Sequence, residues 1–234
     1  ADGFYRDVFK KFKGNFERIF MMGVSPVTLD DVTSGYNVGW NISVIEQNQY
    51  YVDKTMFLPE LEKQPNNLFF IRPRRFGKSI FLSMLYSYYD CNQEDCFETL
   101  FGSLWIGSHP TPLHGKYQVL FLDFSQITGK IDVLEERFNA YLSIKLDGFV
   151  QQYAEYYGKE KVEEIKAKTE YADKLQIIFD TAKANNFQLY LIIDEYDNFT
   201  NVVLNEHGES VYHAITHADG FYRDVFKKFK GNFE

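Results

Sequence analysis

The sequence predicts an α/β fold, a parallel sheet with helices on both faces, and three observations lead there. Four short apolar runs of strand length are bounded by turn residues. Longer helical stretches separate them, and strands alternating with helices imply parallel pairing. The chain, 234 residues and 27.5 kDa with 45% apolar residues, is long enough to bury a core of its own.

Taken in order, a helix is expected over about 4–13. The apolar run Arg18-Ile-Phe-Met-Met-Gly23 reads as a buried strand ended by Val24-Ser25-Pro26. Residues 30–40 are loop-like, and Asn67-Leu-Phe-Phe-Ile71 is a second short strand. From Lys78 to about Asp90 runs a helix that is apolar nearly all round, through Ile80, Phe81, Leu82, Met84, Leu85 and Tyr88. Such a helix fits between a sheet and other helices. Tyr117–Asp123 is the third strand. A long helical region over about 131–185 carries Glu and Lys runs that form a solvated face, and it ends near Asn185-Asn186. Gln188–Asp194 is the fourth strand, followed by a helical stretch from about Glu209.

Composition narrows the function classes. With 6 Pro and 15 Gly, disordered and low-complexity chains are excluded. Aromatics reach 18%, from 23 Phe, 17 Tyr and 2 Trp, so an aromatic core and some aromatic partner surface are expected. Against 33 Asp and Glu stand 25 Lys and Arg. The net charge of -8 opposes unspecific attraction to nucleic-acid backbones or anionic lipid, so any nucleic-acid contact has to be local. Cys91 and Cys96 are too few for a disulfide framework or a Cys-only zinc site, which points to a reducing compartment. No apolar run approaches the roughly 18–20 residues that span a bilayer. A cytoplasmic protein without membrane contact is expected.

One internal feature is unusual. Residues 1–17, ADGFYRDVFKKFKGNFE, recur without divergence at 218–234, and nothing between them repeats. A solenoid shows imperfect periods of about 20–50 residues along the whole chain instead. Because the chain also begins at Ala1 without an initiator Met, the expectation is a circularised 217-residue unit or a permutant with a duplicated end.

Chemistry concentrates at two turns. Arg72-Pro-Arg-Arg-Phe-Gly-Lys-Ser79 stands between a strand and a helix start and is a candidate phosphate-binding loop. A triphosphate needs backbone amides at a helix N-terminus, a Lys for the β and γ oxygens and a hydroxyl for Mg²⁺. Gly77, Lys78 and Ser79 supply that ending, although Arg72 replaces the usual first glycine. Gly115-Lys116, Gly129-Lys130 and Gly158-Lys159 lack the following hydroxyl and the strand-to-helix context. The second turn ends the strand Leu189-Tyr-Leu-Ile-Ile-Asp194-Glu195. Standing alone it reads as a strand stop with a helix-capping Asp. Paired with the first turn, Asp194 becomes a candidate Mg²⁺ ligand and Glu195 a candidate general base for water attack. Asp197 reads as a surface carboxylate or a third acid.

Four segments carry a resemblance: RPRRFGKS, LIIDEYDNF, Tyr50-Tyr-Val-Asp-Lys-Thr55, and GVSPVTLDDVTSGYN at 23–37. Together they resemble the predicted AAA-ATPase-like family, bacterial P-loop ATPase domains often followed by a nuclease-like domain. The resemblance implies a P-loop NTPase sheet in which the strand after the acidic one inserts between it and the phosphate-loop strand. That strand is Arg18–Gly23, so the family-like order is 44–217 followed by 1–43, with 218–234 duplicating 1–17 and the central sensor strand coming first. Ser25, or alternatively Thr28, would then be a sensor near the γ-phosphate, unless Ser25 is an ordinary turn residue before Pro26. Arg74 and Arg75, with Phe76, would lie along the phosphates in cis, or the two arginines would face a neighbour. Tyr50–Thr55 would line the base side of the pocket, unless Tyr51 and Val52 pack at a strand edge.

Two further features have plainer readings. His213 and His217, with Glu209 one turn earlier, have a zinc-like spacing but read as surface histidines. Phe4, Val8 and Phe12 face the sheet more readily than a membrane or an acidic partner. The expected function is ATP binding and Mg²⁺-dependent hydrolysis, coupled to an effector domain outside this sequence. The alternative is a nucleotide-binding switch or scaffold that does not turn over. A homodimer formed through the exposed second copy of the repeat is a further expectation, and nucleic acid enters by family association alone.

Overall fold

The computed structural model describes residues 17–23, 51–64, 67–71, 77–127 and 131–196. Within them four strands, β1 (Arg18–Gly23), β2 (Asn67–Ile71), β3 (Tyr117–Asp123) and β4 (Gln188–Asp194), form one sheet in the order β2-β1-β4-β3. Every neighbouring pair is parallel. All four strands keep the bounds that their apolar runs predict.

The first strand in sequence therefore stands inside the sheet. Its backbone pairs with β2 from Ile19↔Asn67 to Gly23↔Ile71 and with β4 from Arg18↔Tyr190 to Met21↔Ile193. An apolar run without polar alternation suits an interior strand of a sheet with helices on both faces, and its Phe20 is buried. At the other edge of β4, the β3 pairing closes with Asp123 opposite Asp194.

Strand parity divides the interior into two cores. Leu120, Leu122, Leu189, Leu191 and Ile193 face one way and pack with α5 (Ile131–Gln152), α7 (Lys159–Lys166) and α8 (Tyr171–Asn185). Val119, Tyr190 and Ile192 face the other way. They meet α1 (Leu58–Glu62), α2 (Lys78–Tyr89), α3 (Phe97–Phe101) and α4 (Trp105–Ser108). Alternate residues point to opposite faces of a strand, so this partition places helices on both faces of the sheet.

The second core is strongly aromatic, and its buried hydroxyls find partners. Tyr89 donates to Glu62 at 3.1 Å. On the opposite side Tyr153 donates to Asp90 at 2.9 Å and accepts the Val119 amide at 2.8 Å. The carboxylate of Asp90, wholly buried, also accepts the Asn92 amide and the Gln152 side-chain amide.

The long helical region expected over about 131–185 is present, divided into four helices. It comprises α5, α6 (Ala154–Tyr157), α7 and α8. Gly158, at φ 78° and ψ 151°, adopts a backbone that a residue with a Cβ rarely takes, and it breaks the path between α6 and α7. The expected stop at Asn185-Asn186 is present: Asn186 is left-handed (φ 57°), and the Phe187 amide returns to Ala182 O at 2.8 Å. Helix α2 closes at Tyr89, with the Asp90 amide on Tyr86 O. The helix over 4–13, the loop over 30–40, the stretch from Glu209 and both copies of the repeat lie outside the described residues. No described helix is long and apolar enough to cross a membrane.

Candidate functional site

The site grows from two strand ends. After β2, α2 starts with Gly77 as its N-cap in the left-handed region (φ 73°, ψ 30°), a conformation glycine takes without steric penalty. No side chain caps this helix start. Lys78 and Ser79 occupy its first turn, and α2 packs on β3 and β4. Its first turn meets the end of β4, where Asp194 and Glu195 stand.

Lys78 Nζ lies 3.1 Å from Glu195 Oε1. Ser79 donates its hydroxyl to Asp194 Oδ2 at 3.2 Å, and the Glu195 amide donates to Asp194 Oδ1 at 2.9 Å. Glu195 itself has φ 50°, uncommon for a residue with a side chain and a turn that sets its carboxylate beside the helix start. Lys78 and Asp194 are buried, whereas the Glu195 side chain keeps 27% of its surface exposed.

A third acid joins them. Asp123 ends β3 in register with Asp194 and is buried; its carboxylate accepts the Ser125 amide and the Gln126 side-chain amide. Burial pushes the Asp194 carboxyl up to about 7, reinforced by the Glu195 and Asp123 carboxylates and opposed by Lys78 and the Glu195 amide. Sequence reasoning passed over Asp123. Its signal, an apolar run ending in an acid, is the same as that of Asp194, but only the register shows that the two ends coincide.

The segment around Tyr51 adds a second cation. A Cβ built on Gly77 would meet Lys54 Nζ at 3.5 Å, with no other described residue beyond its chain neighbours within 4 Å. Strand-edge packing of Tyr51 and Val52 is not what the structure contains: residues 51–54 form no strand, and Val52 is 58% exposed. Burial, with a smaller contribution from Asp53, pushes the half-buried Tyr51 phenol up to about 12.

Of the sequence-derived candidates, Gly77, Lys78, Ser79, Asp194 and Glu195 are thus brought together. Ser25, Thr28, Arg72, Arg74, Arg75, Phe76, Asp197, His213 and His217 lie outside the described residues. Among the described residues no group of three or more His, Cys, Asp or Glu is arranged to hold a metal ion. A hydroxyl and a carboxylate 3.2 Å apart nevertheless suit Mg²⁺, which prefers oxygen donors and is bound through one or two carboxylates, substrate phosphates and waters rather than a protein cage.

Comparison with curated proteins and with solved structures finds no match. A family model, AAA-ATPase_like, described as "Predicted AAA-ATPase", matches residues 41–234. The matched range contains both strand-end turns and the second copy of the repeat; β1 and the first copy precede it. A match over most of the chain, joined to the meeting of a Gly-Lys-Ser helix start with an Asp-Glu strand end, places this chain in the AAA-ATPase-like family.

Proposed function

We propose that this domain binds ATP at the start of α2 and hydrolyses it. The observation that carries the reading is the contact of Lys78 and Ser79 with Glu195 and Asp194, pairs separated by 117 and 115 residues in sequence. Family membership supports nucleotide binding.

In this reading the amides of the α2 start and the Lys78 ammonium receive the phosphates, where helix polarity and positive charge both favour an anion. Ser79 and Asp194 hold Mg²⁺, which when bound neutralises charge on the phosphate oxygens. Glu195 orients a water and takes its proton as the water oxygen bonds to the γ-phosphorus and the bond to the β-bridging oxygen breaks, releasing ADP. Lys78 exchanges its Glu195 partner for phosphate as nucleotide enters, which frees the carboxylate to act as base. Ser25 as γ-phosphate sensor, and Arg74 and Arg75 with Phe76 along the phosphates, belong to the same proposal on the strength of the resemblance. So does coupling to an effector domain.

The permuted order fits this reading as well. β1 stands between β2 and β4, the place the resemblance gives to the strand that follows the acidic one. A second reading, a nucleotide-holding switch without turnover, is favoured by one observation: the Lys78–Glu195 ion pair occupies the proposed base. Calorimetric titration with MgATP, run beside a phosphate-release assay, separates the two. Heat with release supports the ATPase, heat without release supports the switch, and no heat removes both.

A further inference from the structure

Asp53, Lys54 and Thr55 form a junction between the starts of α2 and α4. The Asp53 carboxylate accepts the Thr55 amide at 2.8 Å, the Thr55 hydroxyl at 2.7 Å and the Trp105 amide at 2.8 Å. Thr55, wholly buried, accepts the Ile106 amide on its hydroxyl at 3.1 Å. Two consecutive amides at the start of α4 are therefore held by side chains on either side of Lys54. Burial disfavours the Asp53 carboxylate, but the Trp105 and Thr55 donors outweigh it, so its pKa lies below the ordinary value and the clamp stays charged. The neighbouring residue turns to the other helix: the Lys54 ammonium stands where a Cβ of Gly77 would make its nearest contact.

Electrostatics gives that placement a use. The described acids at the two strand ends, Asp123, Asp194 and Glu195, outnumber Lys78, and a polyphosphate brought to this helix start meets their repulsion. Gly77 carries no side chain, and among the described residues beyond its chain neighbours the Lys54 ammonium is the nearest group to where its Cβ would stand. Resting on the nucleotide-binding reading above, we propose that Lys54 is a second phosphate-contacting cation, reaching the nucleotide's phosphates beside Gly77. Asp53 and Thr55 are its positioning residues, fastening it to α4.

The test compares ATP and AMP affinities by calorimetry in the presence of Mg²⁺, for the wild type, Lys54→Met, Lys54→Arg, Asp53→Asn and Lys78→Ala. Removing the charge should weaken ATP by about ten- to a hundredfold, the ratio expected for a hydrogen bond to a charged group. AMP should change by no more than about threefold, because it carries a single phosphate. Lys54→Arg should keep ATP affinity within about threefold. Asp53→Asn should lower the ATP-to-AMP ratio in the same direction as Lys54→Met, an effect that mere loosening of the fold would not produce. Should Lys54→Met unfold, Lys54→Gln removes the charge and keeps a polar end. Wild-type ATP affinity in the Lys54 variants beside a lost affinity in Lys78→Ala would overturn the proposal and leave the nucleotide site standing. Equal loss of ATP and AMP would overturn the phosphate contact. Absence of binding in the wild type would overturn the nucleotide reading and this inference together.

Discussion

At the residue scale the Lys78–Glu195 pair lets the binding and the chemistry of the proposed ATPase be tested separately. Lys78 is buried with its ammonium on Glu195, so Lys78→Ala removes the proposed phosphate-binding cation and leaves a partly exposed carboxylate that water can solvate. Its fold should survive, since alanine is benign in a first helical turn. ATP affinity should fall by about a hundredfold or more, the upper range for a lost charged hydrogen bond. Calorimetry with a circular-dichroism control checks both halves, and an unchanged affinity would remove the phosphate-loop assignment. Glu195→Gln acts on the other partner. It keeps a hydrogen-bonding group beside Lys78 and loses the ability to take a proton, so ATP should still bind while phosphate release drops by roughly two to four orders of magnitude. A wild type already at background turnover would remove the catalytic role of Glu195.

Among the elements, the turn after α2 stores a pH dependence. Asp90 ends that helix and holds Tyr153, which in turn anchors the Val119 amide of β3. Burial raises the Asp90 pKa above 3.8, and the Asn92, Tyr153, Tyr86 and Gln152 donors recover only part of that cost. A folded pKa raised above the unfolded one means that the favourable contribution is complete below about 3.8 and is lost as pH rises through the folded value. Asp90→Asn has no such proton. It should start less stable, by about 1 kcal/mol for the mismatch of its amide with the Gln152 donor. The deficit should shrink as pH rises, by about 1.4 kcal/mol for each unit separating the two pKa values. Urea midpoints of both proteins between pH 4 and 7 test this. A gap that does not move with pH would mean that Asp90 keeps one protonation state through unfolding.

The strands were legible at this scale because each is a bare apolar run between turn residues, and in β3 and β4 both faces are buried. The breaks in 131–185 were not. Gly158 is visible in the sequence, but helical patterning continues past it, and only its backbone angles show a break. Asp123 escaped for a different reason, and Lys54 was read only as part of a Tyr50–Thr55 segment on the base side: each acquires its place through a partner distant in sequence. Asp123 depends on the β3–β4 register and Lys54 on the fastening of Asp53 to Trp105, and composition around either residue carries no trace of those pairings.

For the whole molecule, the sheet order makes β1 the joint between β2 and β4, the strand that ends in Asp194. A fragment limited to residues 41–234 lacks that joint. It should fail to unfold cooperatively in urea, because β2 then has no neighbour among the described strands. A chain rewritten as 44–217 followed by 1–43 keeps every described strand and should recover cooperative unfolding with a midpoint near that of the original. Cooperative unfolding of the 41–234 fragment would show that another segment takes the place of β1, and failure of the rewritten chain would remove the permuted order.

Making β1 first also sets a timetable for biosynthesis. The strand leaves the ribosome as an apolar segment with neither neighbour yet made. At about 5–20 residues per second, β4 follows it only after roughly ten to thirty seconds. β2 can pair with one edge after about two to ten seconds, but the edge that β4 will take stays open to chaperones or to other nascent chains throughout the interval. When β4 arrives it adds to that free edge, so the contacts of Lys78 and Ser79 with Glu195 and Asp194 form late, after residue 195 has emerged.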